Sequence, residues 1–160
     1  MNGAVAAAEL PGGALLERYR AEGGHVDCYV AEVPRAVDLG QLITAFYTSA
    51  AFRPERWLLG ALLGKRADNR DVARLAAGET THFSAWTVEA RSDDQILLCD
   101  FQSRTRSWLM VQPIAAGTRL HFGSAVVSQK RRSGRLVFSA LLGFHRWYSR
   151  ILLRSAVKRL

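Results

Sequence analysis

Residues 135–160 read RLVFSALLGFHRWYSRILLRSAVKRL. Val137, Leu141, Phe144, Tyr148, Ile151 and Leu152 return at steps of three and four, which is one face of a 3.6-residue period. Leu136, Ala140, Trp147 and Leu153 widen that face. Arg146, Arg150, Arg154 and Lys158 return every four residues and form a basic ridge on another side. Lys158 and Arg159 fall in the last turn, where cations meet the negative end of the helix dipole. The stretch predicts one helix, roughly 36 Å long at ~1.5 Å per residue, whose apolar side must lie on something. Ser, Gly and Arg interrupt it too often for a membrane span, which needs about 20 mostly apolar residues.

The stretches upstream supply the surface it would cover. Residues 81–90, 95–101, 108–113 and 119–129 have the period of two or the apolar runs of strands, separated by short turns. A first strand, His25–Val33, stands ahead of them and ends at Pro34. Between lie two helices. One follows Asp38, a good N-cap, with Leu39, Leu42, Ile43 and Phe46 on its inner face. The other starts at Pro54 with Trp57, Leu58, Ala61 and Leu62, and Gly64 suits its end. Lys65–Glu79 is polar with a helical turn around Val72–Ala76. The fold class expected is α+β: a curved antiparallel sheet wrapped around a long C-terminal helix, with two shorter helices after the first strand.

A chain of 160 residues with 49% hydrophobic content suits one domain with a real core. We read residues 1–22 as a weakly ordered tail with a short helix near Ala14–Glu22, and 23–160 as the domain. The start, MNGAVAAAELPGG, lacks the basic head and leucine-rich centre of a secretory signal, so a cytoplasmic location is expected. Cys28 and Cys99 are expected as free thiols. The net charge of +8 is unevenly placed: residues 1–100 hold 14 acids against 10 bases, and residues 101–160 hold 12 bases and no acid. Such asymmetry points to an anionic partner or to a basic end kept in solvent.

Four pieces resemble a bacterial family of START-like domains that has no assigned activity. They are AFYTSAAFRPERWLLGALLG, the Asp93-Asp94 turn into an apolar strand, VVSQKRRSGRLVF, and Gly143-Phe144-His145-Arg146 before an apolar run. The chain departs from the family where Gln129-Lys130 replaces a commoner His-Asn pair and Gly143 replaces Pro. The resemblance implies the START or polyketide-cyclase (SRPBCC) type of helix-grip fold, with a ligand cavity between sheet and final helix. Fewer strands can be read here than the seven usual in that fold.

Candidate residues follow. Trp86, Trp108, His121, His145 and Tyr148 would line a cavity, apolar with a few polar points. Asp100, His121 and His145 are the candidates for acid–base work, Asp100 because a carboxylate in an apolar strand has a raised pKa if it faces a closed space. Core packing, or a salt bridge from Asp100 to Arg104, Arg106 or Arg119, competes with each. Arg131, Arg132, Arg146 and Arg150 would hold an anion. The chain has no glycine-rich phosphate loop, no metal-ligand spacing and no nucleophile elbow, and no metal or cofactor is implied. Three functions fit: binding of an apolar or amphipathic small molecule, an acid–base enzyme of cyclase, dehydratase or isomerase type in the same cavity, or a basic surface module for anionic lipid, with nucleic acid less favoured. An exposed Trp147 would also suit a homodimer.

Overall fold

A computed structural model of the chain describes residues 4–53, 68–127 and 135–160, with side chains at all of these except 135–145. The expected helix at 54–64 and the connector at 130–134 lie outside the described residues. In chain order the elements are β1 (Ala6–Ala7), α1 (Glu17–Ala21), β2 (His25–Val33), α2 (Leu39–Tyr47), α3 (Asn69–Ala77), β3 (His82–Phe83), β4 (Trp86–Arg91), β5 (Gln95–Asp100), β6 (Thr105–Ile114), β7 (Gly117–Val126) and α4 (Arg135–Val157).

The strands form one open antiparallel sheet of seven in the order β1-β2-β7-β6-β5-β4-β3. The α+β class is as expected, and the sheet has more strands than the sequence showed. The additional ones are the two-residue pieces β1 and β3, which sit at the two edges. Two residues are too few to show a period. Short edge strands also leave little unpaired backbone for another chain to join. The polar 65–79 stretch holds no hidden strand among its described residues; it contains α3, started by the Asp68–Asp71 capping box and ended by Gly78 in the left-handed region, where only glycine pays no Cβ penalty. Arg91 reaches across from β4 to the Leu75 and Ala76 carbonyls at 2.6 and 2.7 Å, satisfying the open end of that helix. Asp38 starts α2 as expected, with Gln41 completing a capping box.

The strands β2, β5, β6 and β7 alternate their side chains between two buried layers. The first layer holds Tyr29, Ala31 and Val33 of β2, Ile96 and Leu98 of β5, Leu109 and Val111 of β6, and Leu120 and Phe122 of β7, against Leu42, Ile43 and Phe46 of α2, Val72 and Leu75 of α3, and Leu152, Leu153 and Ala156 of α4. Each fully buried leucine or isoleucine contributes ~1.5–3 kcal/mol. The second layer lies on the opposite face: Cys28, Leu97, Trp108, Met110 and Ala125 against Ala14, Leu16 and Tyr19. Within residues 4–22 the segment is thus tied to the domain at β1 and at Ala14, Leu16 and Tyr19. Leu16 is fully buried, α1 lies within the range expected for a short helix, and β1 pairs with β2.

The 81–90 stretch needs a correction. A single strand is expected there, and its period of two would put Phe83 and Trp86 on opposite faces. Ser84 has φ 54°, and the chain reverses there, so that Phe83 and Trp86 are register partners and both pack on the first layer. Cys28 and Cys99 are free and stand on strands that are not neighbours.

Candidate functional site

A cavity of about 190 Å³ lies in the first layer, between the sheet and helices α2 and α4. Phe46, Tyr47, Phe52 and Phe122 form one wall, and the rings of this cluster meet at centroid distances of 4.8–6.1 Å. The sheet contributes Trp86, Thr105, Ser107 and Ser124, and α4 contributes Tyr148, Ser149 and Leu152. The polar residues gather at one end because Thr105 and Ser107 of β6 and Ser124 of β7 stand at neighbouring register positions, Ser107 opposite Ser124. Thr105 pairs with Val126, and Val126 with His25.

Two buried polar atoms on residues lining this cavity find no hydrogen-bond partner among the described residues: Trp86 Nε1 and Ser149 Oγ. Ser149 is fully buried. An unmet buried donor costs about 1–3 kcal/mol, so such atoms mark places where a guest is favoured. The third notable group is Asp27, on the same face of β2 as Tyr29. Its Oδ1 accepts from the Ser124 hydroxyl at 2.6 Å and from the Ser124 amide at 3.1 Å, while its Oδ2 is buried and without a partner among the described residues. The sequence reading passed over Asp27. The signal was present: alternation places it in register with the core-facing Tyr29, Ala31 and Val33.

Trp86, Trp108 and His121 do not meet. Trp86 lines the cavity, whereas Trp108 and His121 lie behind the sheet, their rings 5.9 Å apart. Register decides this, because Trp108 of β6 and His121 of β7 fall on the face of Leu97 and Ala125. His121 is 3% exposed and its Nε2 lies 3.2 Å from Gln112 Oε1. Burial first, and then the nearby Arg119 charge, push its pKa from 6.5 down to about 4. It is a neutral imidazole at neutral pH, held away from the cavity.

Asp100 does not face a closed space. Its Oδ1 accepts from the Arg104 amide at 2.7 Å and the Thr105 amide at 3.1 Å, fastening the β5–β6 turn. The salt bridges weighed for it go elsewhere: Arg106 pairs with Glu89 at 2.6 Å and Arg119 with Glu32 at 2.7 Å. Tyr148 joins the cavity wall, and its hydroxyl donates to the Ala51 carbonyl at 3.2 Å. His145 falls on α4, with its side chain outside the described set. Arg131 and Arg132 also lie outside the described residues.

Arg146 and Arg150 line a different cleft, of about 270 Å³, at the β1–β2 edge, together with Arg20, Glu9, Asp27 and Tyr29. The Arg150 guanidinium sits 5.5 Å above the Tyr29 ring. Burial and the Asp27 carboxylate raise the Tyr29 phenol above its ordinary pKa, and Arg150 and Arg146 work against that rise. Burial, then Asp27 and Glu9, raise the Cys28 thiol to about 12, so this cysteine is not a nucleophile at neutral pH. A broader groove of about 590 Å³ runs along α2 and α3 to Arg159 and Leu160. It is open to solvent and lined by Gly40, Thr44, Ala73 and Ala76 and by the buried Thr48, whose hydroxyl donates to the Thr44 carbonyl at 2.6 Å. No set of three or more His, Cys, Asp and Glu side chains able to hold a metal occurs among the described residues. No helix among them is long and apolar enough to cross a membrane.

No family profile matches the sequence, and no curated protein matches it. Among solved structures, the quaternary ammonium Rieske monooxygenase CntA, in complex with an inhibitor, aligns over 91% of this chain and 43% of its own, at 14% identity and a TM-score of 0.35. The chain thus spans less than half of that protein, and a likeness at this score carries no argument about fold or function.

Proposed function

We propose that the chain is a ligand-binding domain that holds a small apolar or amphipathic molecule between its sheet and its final helix, in a helix-grip arrangement of the START type. The observation that carries this reading is the aromatic cavity of about 190 Å³ with Trp86 Nε1 and Ser149 Oγ buried and unpaired among the described residues. An apolar cavity of about 150 Å³ accepts a benzene ring, so a compact one- or two-ring molecule fits. An oxygen acceptor on that molecule, a carbonyl or ether, would meet the Trp86 N–H. Ser149 can donate or accept. The acid–base alternative is less well supported, since Asp100 and His121 stand on opposite faces of the sheet and Asp100 is committed to a turn.

The test is binding of acetophenone and naphthalene by titration calorimetry, beside native mass spectrometry of the purified protein. Expected are a retained or titratable small guest, and tighter binding of the ketone than of the hydrocarbon. Trp86→Phe keeps an aromatic ring, smaller than the indole, and removes the donor. It should weaken the ketone by about 5–10-fold, the usual worth of one hydrogen bond, and leave naphthalene unchanged. Ser149→Leu fills the space and should abolish both. Absence of any guest, or wild-type binding in Ser149→Leu, would overturn the proposal.

A further inference from the structure

We propose that the outward face of α4 docks on an anionic phospholipid bilayer. Leu152, Leu153 and Ala156 fix the inner side of this helix in the core, so the side turned to water is defined. Along it Trp147, Ile151, Arg154 and Lys158 recur at steps of four, three and four, with Arg150 and Arg146 on its flank. Trp147 is 59% exposed, and the other exposed large apolar side chain among the described residues is Phe101, at 53%. An indole prefers the headgroup level of a bilayer, where its ring is half apolar and its N–H is wet.

Charge complements this. Arg146, Arg150, Arg154 and Lys158 make no ion pair among the described residues, where the salt bridges involve Arg18, Arg20, Arg106 and Arg119. A basic helix face with an aromatic centre is the arrangement that lies on anionic lipid. Phe101 is a second exposed ring. Phe101 follows Asp100, whose partner Trp86 lines the cavity. Trp147 precedes Tyr148 and Ser149, which line it too. Both exposed rings are thus sequence neighbours of residues that line the cavity or pair with its lining. A basic helix face carrying an exposed indole suits penetration among headgroups, whereas nucleic acid needs a groove-entering element or a stacking platform. The docking surface does not depend on what the cavity holds.

Co-sedimentation with phosphatidylcholine vesicles, pure or with a third of the lipid replaced by phosphatidylserine, tests it. Binding is expected for the anionic vesicles at low salt, not for the neutral ones, and it should fall as salt rises. Removing each charge should lower partitioning roughly fivefold, so R154Q/K158Q should lose about 25-fold. A blue shift of Trp147 fluorescence should accompany binding and vanish in W147F, which keeps the other three tryptophans. These positions are on the surface, so unchanged melting curves confirm folded variants. No binding to anionic vesicles, equal binding by R154Q/K158Q, stronger binding to duplex DNA or RNA, or conversion of a dimer to a monomer by W147A would each overturn the proposal.

Discussion

Replacing Gln95 with Leu tests whether the N-terminal segment is built into the domain. Gln95 is 8% exposed and acts as a three-way clamp. Its Oε1 accepts from the Leu15 amide and from Trp108 Nε1, both at 2.9 Å, and its Nε2 donates to the Gly13 carbonyl at 3.2 Å. The indole can only donate, so the amide orientation is fixed. Leucine has nearly the same volume and none of these bonds. Trp108 is fully buried, and its stranded N–H should cost about 1–3 kcal/mol. Leu15 is half-buried and Gly13 exposed, so their groups can turn to water, at ~0.5 kcal/mol each. The apolar gain of leucine offsets about 1 kcal/mol, leaving a net loss of about 2 kcal/mol.

Urea unfolding followed by circular dichroism should show this as a midpoint lowered by about 1 M, taking a slope of ~2 kcal/mol/M for a chain of this size. Amide exchange at Leu15 should quicken at the same time. The decisive measurement is the cycle with Trp108→Phe, which removes the stranded donor. Gln95→Leu should then cost ~1–2 kcal/mol less than it does beside tryptophan, because the two residues share one interaction. Strict additivity, or a single variant within ~0.5 kcal/mol of the wild type, would refute the clamp.

Two further outcomes follow from the second buried layer. A methyl group built on Gly123 would stand 2.8 Å from the Asp27 carbonyl oxygen and from Leu16 Cδ2, and 2.9 Å from Trp108 Cε3, so Gly123→Ala should lower stability by at least ~1–3 kcal/mol, and a melting temperature equal to the wild type's would contradict the close approach of Leu16 to the sheet. For His121 the folded pKa of about 4 lies below the ordinary 6.5, so the unfolded chain takes the proton first, and stability held above pH 6.5 decays as the pH falls toward 4, by up to ~3 kcal/mol. His121→Gln should remove that part of the slope in urea titrations at a series of pH values, and a slope unchanged by the substitution would contradict the burial argument.

How far the sequence carried the fold depended on where local chemistry was sufficient. The α2 start needed only Asp38 and the apolar steps after it. The β2 strand was legible at both ends because Pro34 stops it and β-branched residues fill it. The packing of Leu16 and Tyr19 was not legible, since five helical residues have no period of their own and the face they cover is defined only once the sheet exists. A cavity beneath the final helix was implied by the resemblance to START-like domains and not by any local signal, and of the residues expected to line it Trp86 and Tyr148 line the one present. Trp108 and His121 do not, because one residue of register decides the face, and no local signal sets it in β6 and β7. Ser84 is the same failure on a smaller scale: a serine at positive φ reads like any other polar strand residue. Asp27 is different. Its inward direction follows from alternation along β2 with Tyr29, Ala31 and Val33.

The uneven charge acquires a physical sense once the carboxylates are traced. Glu89 is taken by Arg18 and Arg106, Glu32 by Arg119, and Glu9 and Glu17 by Arg20. Asp38, Asp68 and Asp71 spend their oxygens on backbone amides at helix starts, Asp100 does so in a turn, and Asp27 is bound to Ser124. These acids serve the sheet, the helix ends and the N-terminal segment. Arg146, Arg150, Arg154 and Lys158 take no part in these ion pairs among the described residues, so solvent ions or a partner can supply counter-charge to the ridge. An exposed tryptophan beside them narrows the choice of partner: small ions have no use for an indole, while a lipid headgroup region takes both the ring and the cations.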